Sequence, residues 1–254
     1  MWAAALSLAF GIGFFGLTVL VIGWFEKPFG VSTPVSELNH GALAGIIITI
    51  GILTQLRSPE RRIAGVQQAV LGGLAFLITA LIGGRQEPLQ ESLIFLAALA
   101  LLVILHPARE EFFKRGPGPT ASLAAVAIVG AVPASIYAGF MLVQAREFIG
   151  PPHHADRFAE MAATAIATVA VGLLASLRTP GWRISAWSAG AAAIVVGMAS
   201  VVFPDAPGAV GRIWGTLAAG AGVVFVVLAS MSPWPRYWSH GKPARGSPPP
   251  IGWP

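Results

Sequence analysis

The sequence predicts an all-α integral membrane protein of about eight transmembrane helices, and three observations carry this prediction. Of its 254 residues, 55% are hydrophobic and only 11% are charged, with a mean hydropathy of +0.73. A soluble domain carries about a quarter charged residues, so this composition excludes an ordinary soluble protein. The apolar residues fall into segments of about 20, the length that crosses a bilayer core of about 30 Å. Short polar connections separate these segments.

Eight apolar segments meet this length criterion, and most are bounded by proline, glycine or charge. In chain order they cover about residues 3–24, 38–56, 63–83, 89–106, 120–143, 158–177, 184–203 and 211–231. The first has no Lys or Arg before its apolar run, which continues to Trp24, so we expect a retained helix rather than a signal peptide. The fourth begins near Glu91, which we expect at the membrane interface. Residues 242–254 are rich in Pro and Gly and predict an extended tail.

The distribution of charge predicts the orientation of these spans. The loops near 57–62, 107–119 and 178–183, together with all residues after the last span, share one side and hold eleven of the 16 Lys and Arg residues. Eight of the 11 acidic residues lie on the other side. Cytoplasmic loops carry the excess of Lys and Arg, so we predict that both termini are cytoplasmic and that the protein lies in the plasma (inner) membrane. We name the arginine-rich side the predicted inner face and the opposite side the predicted outer face.

Two loops on the predicted inner face have related sequences. Residues 56–63 read LRSPERRI and residues 177–184 read LRTPGWRI, with five of eight positions identical at an offset of 121. Each loop joins the second and third helices of one half of the chain. We therefore predict two parallel four-helix repeats, 1–116 and 117–241, followed by the tail. The alternative is that both loops independently form a common turn at the inner leaflet, in which proline begins the next helix.

The predicted outer face carries a candidate metal site. Glu37 and His40 are spaced i, i+3 at the start of the second helix, so they project from one face. The matching stretch of the second half contains four more such side chains, namely His153, His154, Asp156 and Glu160. We expect the two groups to share one depression, where imidazoles and carboxylates suit a divalent cation such as Zn²⁺, Mn²⁺, Fe²⁺ or Cu²⁺. The alternative is that the acidic residues cap or complement helix N-termini and the histidines are solvated, with Asp156 capping the sixth helix.

The centres of the predicted spans contain no Asp, Glu, Lys, Arg or His. Ionisable residues at that depth are costly and usually functional, so their absence from the sequence disfavours an ion-coupled transporter. The polar side chains of Thr49, Gln67 and Gln68 would line a path through the bundle if it has one. Glycines four residues apart, as at Gly41 and Gly45, predict close packing of helices.

The chain also contains no cysteine, which excludes thiol catalysis, iron–sulfur ligation and thiolate metal sites. It has no nucleophile–base pair, phosphate loop or patch of basic and aromatic residues that would indicate nucleic-acid binding. We therefore expect a protein that is not an enzyme and has no nucleic-acid partner. Its pI of 10.4 is then explained by Lys and Arg facing anionic lipid.

These observations favour a non-catalytic subunit or scaffold that packs against other membrane proteins or copies of itself, for example in a bioenergetic assembly. One alternative is a small permease or channel for a neutral solute or a metal ion, with the outer His/carboxylate group as its entry site. A second is a membrane oxidoreductase subunit that holds haem or quinone near His40. Haem is disfavoured because His40 lies about eight residues, roughly 12 Å, from its helix centre. We expect no cofactor other than a divalent metal at the outer group.

Overall fold

The computed structural model describes residues 16–25, 33–57, 59–113, 118–150 and 152–232. These residues form helices and turns, with no strand among them. Their longer helices are, in chain order, α1 Gly16–Ile22, α2 Pro34–Leu56, α3 Ile63–Gly83, α4 Gln86–Ile104, α5 Ala121–Glu147, α6 Pro152–Ser176, α7 Trp182–Val202 and α8 Gly211–Met231. Short 3₁₀ segments lie at Pro59–Arg61 and Arg109–Glu111.

Seven of these helices, α2 to α8, are long and apolar enough to cross a membrane. They correspond to the second through eighth predicted spans, and an apolar helical bundle of this kind is consistent with a polytopic membrane protein. The first predicted span, 3–24, lies mostly outside the described residues, which include only its last part as α1. The predicted tail, 242–254, also lies outside them.

The largest differences between predicted and observed helix starts are at α2 and α6. α2 begins at Pro34 rather than near residue 38, because Thr33 and Ser36 form a capping box in which each backbone N–H donates to the other's hydroxyl oxygen. α6 begins at Pro152 rather than near residue 158. Asp156 consequently lies inside α6, and the prediction that it caps this helix is wrong.

Helices α2, α3, α6 and α7 form the centre of the bundle. The most apolar stretch of α2 is 89% buried, and those of the other three are 50% to 67% buried, against 17% to 28% for α4, α5 and α8. α3 packs against α6, and α2 packs against α7. The peripheral helices α4, α5 and α8 expose large apolar side chains, as expected of surfaces that face lipid.

The middle of α2 is wound as a π-helix from Gly41 to Thr49, and all nine of its residues are buried. Near the end of this segment the carbonyl oxygens of Ile46 and Ile47 accept from the Gln68 side-chain amide of α3, at 3.3 and 2.7 Å. The Thr49 hydroxyl donates back to the carbonyl of residue 44 at 2.7 Å. Buried polar groups need such partners, so these side chains stabilise the unusual winding of the central helix.

Glycines allow the helices to approach at backbone distance. A Cβ on Gly45 would lie 2.5 Å from the Gly16 carbonyl oxygen of α1, and one on Gly51 would lie 2.5 Å from the Gly65 carbonyl oxygen of α3. A Cβ on Gly41 would meet a leucine side chain of α1 at 2.8 Å. The predicted packing role of Gly41 and Gly45 is therefore confirmed. Association of helices in lipid depends on close contacts of this kind.

The two related loops on the predicted inner face lie against each other. The Ala64 N–H donates to the Pro180 carbonyl at 2.9 Å, and the Ser185 hydroxyl donates to the Ala64 carbonyl at 3.2 Å. A Cβ on Gly181 would lie 2.9 Å from the Cα of Arg62, so the two backbones are in contact. Ala64 and Ser185 are themselves separated by 121 residues, the offset between the related loops.

His106 is buried just beyond the end of α4, on the same face. Its Nδ1 accepts from the Ala108 N–H at 3.1 Å, so the proton of the neutral ring lies on Nε2, which donates to Gln55 Oε1 at 3.0 Å. Protonation of Nδ1 would break the first of these bonds. Burial lowers the pKa of His106 below its usual range, against a smaller opposing effect of Glu60.

We therefore expect the protein to lose stability as the pH falls through about 6.5, the ordinary pKa of histidine, because the unfolded chain then binds a proton that buried His106 resists. The stability is fully present above this pH, and the loss levels off below the lower pKa of the folded state. Thermal unfolding of the detergent-purified protein between about pH 8 and pH 5 measures it. His106→Gln should lose less stability over this range than the wild type, whereas the control His154→Gln should retain the wild-type loss. Equal losses in all three proteins would show that His106 is not the source of this pH dependence.

Candidate functional site: a salt-bridge network on the predicted outer face

The outer ends of α2 and α6 place ionisable side chains side by side. The cap at Thr33 starts α2 early enough that Glu37 falls in its first turn and His40 one turn later. Arg157 and Glu160 are spaced i, i+3 on α6 and therefore share one face of that helix. α2 packs against α6 along this stretch. The charged groups consequently meet between two helices of the bundle centre.

The Arg157 guanidinium joins two carboxylates. Its Nη1 donates to Glu160 Oε2 at 2.8 Å, and its Nη2 lies 3.7 Å from Glu37 Oε1. The Glu37 and Glu160 side chains are only 4% and 8% exposed, whereas that of Arg157 is 32% exposed. A buried carboxylate without a partner is strongly destabilising, so the arginine stabilises both acidic side chains at this position.

His40 completes the network from α2. Its Nδ1 lies 3.2 Å from Glu160 Oε2 and 3.4 Å from Arg157 Nη1. When Nδ1 carries a proton it donates to the carboxylate, and when it does not it accepts from the guanidinium. The ring therefore has a partner in either protonation state. One turn further along α6, the Thr164 hydroxyl bonds the carbonyls of Asn39 and Glu160, at 3.1 and 2.9 Å, and so ties the same two helices together.

A second ion pair extends the network towards α3 and α4. Arg85, in the connection between these helices, donates from Nε to Asp156 Oδ1 at 2.6 Å. The other carboxylate oxygen of Asp156 and the side-chain oxygen of Asn39 are buried and have no hydrogen-bond partner among the described residues. Glu91 of α4 adds a further carboxyl group within electrostatic range of His40 and the Arg157–Glu160 pair.

The six residues of the sequence-based metal hypothesis fall into three groups. Glu37, His40 and Glu160 come together around Arg157, while Asp156 pairs with Arg85. His153 and His154 lie against each other with ring centroids 4.4 Å apart, and the His154 ring lies 6.0 Å from that of Phe148.

At the centre of the network lies an arginine, where the hypothesis places a metal ion. Within the part of the chain that the structure describes, no three His, Asp or Glu side chains are arranged to hold a metal ion. The Arg157 guanidinium instead lies between the carboxylates of Glu37 and Glu160. A metal ion at the six predicted residues stays a prediction, as does haem or quinone near His40.

Sequence reasoning did not assign a role to Arg85 or Arg157. The available signal was the i, i+3 spacing of Arg157 and Glu160, together with the surplus of acidic over basic residues on this face. Basic side chains amid a surplus of acids are natural partners for the least exposed of those acids. Glu91 was expected in the interface, and the structure places it near the network within α4.

The polar side chains inside the bundle also have structural partners. Thr49 and Gln68 donate to carbonyls of α2, and the Gln67 side chain donates to the Phe112 carbonyl. These are the three residues that would line a polar path through the bundle. Each of them uses its donor on a backbone carbonyl, and the side-chain oxygens of Gln67 and Gln68 are buried without a hydrogen-bond partner among the described residues.

Comparisons with protein families, with curated proteins and with solved structures found no match to this chain.

Proposed function

We propose that the chain is a non-catalytic subunit or scaffold of a larger membrane assembly. The observation that carries this proposal is that the ionisable network at the outer ends of α2 and α6 is an internal clamp. Arg157 pairs with Glu37 and Glu160, and Arg85 pairs with Asp156. Groups that neutralise one another in this way hold helices in a defined arrangement. The backbone bonds of the interior polar side chains support the same role.

The peripheral helices α5 and α8 supply surfaces on which another membrane protein could pack. α5 exposes Val129 and Ile136, which are 73% and 69% exposed. α8 exposes Leu217 at 58% and Val224 at 49%. Apolar faces of this kind contact either lipid or a neighbouring subunit, and a second copy of this chain is one such neighbour.

We also propose that the two halves, 1–116 and 117–241, are parallel repeats. An offset of 121 residues makes α7 the counterpart of α3 and α6 the counterpart of α2. If the halves are repeats, the contact between α3 and α6 should therefore be matched by one between α7 and α2, and both contacts are present. The Ser185 hydroxyl bonds the carbonyl of its own counterpart, Ala64. Counterpart residues touch when they lie beside a two-fold axis, so this bond supports a pseudo-two-fold relation between the halves.

Purification in mild detergent tests the proposed assembly role. We expect the tagged chain, purified from native cells, to elute together with a membrane protein, or with a second copy of itself, in constant stoichiometry. Tryptophan substitutions at Val129 and Ile136 of α5, or at Leu217 and Val224 of α8, remain compatible with lipid but change the shape of one face. Loss of the partner with one pair and not the other would locate the interface. A monodisperse 26.3 kDa monomer with nothing bound would refute the proposal.

A permease is the second candidate, and one observation favours it. The most buried helix, α2, combines a nine-residue π-helix with ionisable groups at its outer end. π-helical segments occur frequently at functional sites. Solute or metal uptake into proteoliposomes that Glu160→Gln abolishes, while the variant remains folded, would favour this function over the scaffold.

A further inference from the structure

We propose that the two related loops on the predicted inner face, residues 56–63 and 177–184, together bind the headgroup of an anionic phospholipid. We name them the paired loops. They are held in contact by the Ala64–Pro180 backbone bond and by the approach of Gly181 to Arg62. A single surface is therefore built from both halves of the chain.

The paired loops concentrate positive charge. They contain five arginines and one acid, Glu60; the arginines are Arg57, Arg61, Arg62, Arg178 and Arg183. Among the described residues, the ion pairs of the structure do not involve Arg57, Arg61 or Arg62. Arg57 and Arg61 are exposed. Guanidinium groups in such a cluster match the planar, paired oxygens of a phosphate.

Two helices begin at this surface with their positive ends uncapped by side chains. α3 starts after Arg62 and α7 starts after Gly181, and neither cap residue makes a side-chain hydrogen bond to its helix. Neither helix has an acidic residue in its first turn. The backbone dipoles of both helices therefore add to the attraction of the arginines for an anion.

Two buried donors beneath the arginines have no partner among the described residues. The Trp182 side chain is only 3% exposed and its indole Nε1 makes no hydrogen bond; the Thr179 hydroxyl, 4% exposed, makes none either. The guanidinium carbons of Arg178 and Arg183 lie 5.5 and 5.6 Å from the centroid of the Trp182 ring. Buried donors are normally satisfied, so this pair points to an acceptor that enters between the arginines.

The surroundings favour a lipid as the source of the phosphate. Leu56 and Leu177 are 52% and 49% exposed, and each immediately precedes the first arginine of its loop. The paired loops directly follow α2 and α6, so their arginines lie where an apolar span ends and headgroups begin. An anionic phospholipid supplies a phosphate for the arginines and acyl chains for the leucines.

Lipid binding by the full chain in neutral detergent, measured by native mass spectrometry, tests the proposal. Phosphatidylglycerol should bind more tightly than phosphatidylcholine. The double variant Arg57→Gln/Arg61→Gln should weaken phosphatidylglycerol binding by roughly tenfold or more, since each basic residue near a headgroup contributes substantially. The matched control is Arg109→Gln/Arg212→Gln, which removes the same charge from exposed arginines outside the paired loops and should change binding by less than about twofold.

Trp182→Phe separates a built site from a general attraction of charge. It keeps an aromatic ring beneath the arginines but removes the indole N–H, so it should weaken phosphatidylglycerol binding while thermal stability without lipid is unchanged or higher. Equal weakening in the control double variant, or wild-type binding in Trp182→Phe, would overturn the proposal. Full displacement of the lipid by millimolar inorganic phosphate would also overturn it, because the site would then recognise free phosphate.

Discussion

Replacing Arg157 by methionine should lower the free energy of unfolding by roughly 3–5 kcal/mol, the loss typical of a buried ion pair deprived of one partner. The methionine fills much of the same volume but leaves the carboxylates of Glu37 and Glu160, which are 4% and 8% exposed, without their shared cation. Thermal or denaturant unfolding in detergent measures the loss. Among single substitutions of charged residues in this chain, we expect this one to have the largest effect.

Two further variants separate the loss of the cation from the loss of an arginine in general. Arg212→Met removes an exposed arginine on the same predicted face and should change stability by less than about 1 kcal/mol. Adding Glu160→Gln to Arg157→Met removes one of the unpaired charges and should restore part of the lost stability. Equal losses in Arg157→Met and Arg212→Met would show that the network does not hold α2 against α6.

Gly197→Ala should cost about 1–3 kcal/mol or more, because α7 and α8 have no room for a methyl group where they cross. A Cβ at this position would lie 2.6 Å from the Ala219 nitrogen and 2.6 Å from the Gly215 carbonyl oxygen. Both are backbone atoms, which cannot move aside as the end of a side chain can. The two helices must therefore separate, and their contact is the most extensive between any two helices described.

Gly220→Ala is the matched control on α8. A Cβ there would meet nothing within 4 Å, so the variant should be neutral or should gain roughly 0.5–1 kcal/mol from the higher helix propensity of alanine. Unfolding in detergent measures both variants, and cross-linking between α7 and α8 would detect the separation in Gly197→Ala. The packing argument fails if both glycines tolerate alanine equally.

Together, the two predictions distinguish the forces that stabilise the bundle. Glycine contacts provide close packing, which is the main source of helix association where lipid replaces water. The ionic network contributes less to net stability, because the free energy needed to remove the charges from water cancels much of the free energy gained from their attraction. We expect its larger effect to be on specificity, because Glu37 of α2 reaches the Arg157–Glu160 pair of α6 at only one rotation of α2.

Hydropathy, together with the proline, glycine and charged residues that bound the apolar segments, predicted the apolar helices closely. Residues 63–83 and 211–231 were expected as spans, and α3 and α8 have those same bounds. The ends of α2 and α6 were less predictable, because their first turns are polar and begin at Pro34 and Pro152. Hydropathy detects the apolar portion of a helix, whereas hydrogen bonds to a capping residue such as Thr33 decide where its backbone begins.

Spacing along the chain placed Glu37 and His40 on one face of a helix, and the repeat suggested which stretch of the second half would lie opposite. The role of Arg157 could not be derived in this way. An ion pair between helices depends on how far each is rotated about its axis, and packing of the whole bundle decides that rotation. The same limit applies to the π-helix of residues 41–49, whose carbonyls bond Gln68 from another helix.

The sequence by itself determined an apolar, all-helical bundle, the positions of seven of its long helices and the residue types available at each end. Local periodicity and composition carry that information, because a helix closes its backbone hydrogen bonds within its own segment. Only the tertiary structure decided that Arg157 lies between Glu37 and Glu160 and that Gly181 meets Arg62. The Arg157–Glu37 and Gly181–Arg62 contacts join residues about 120 apart in the chain, and their geometry follows from the simultaneous packing of several helices rather than from any one segment.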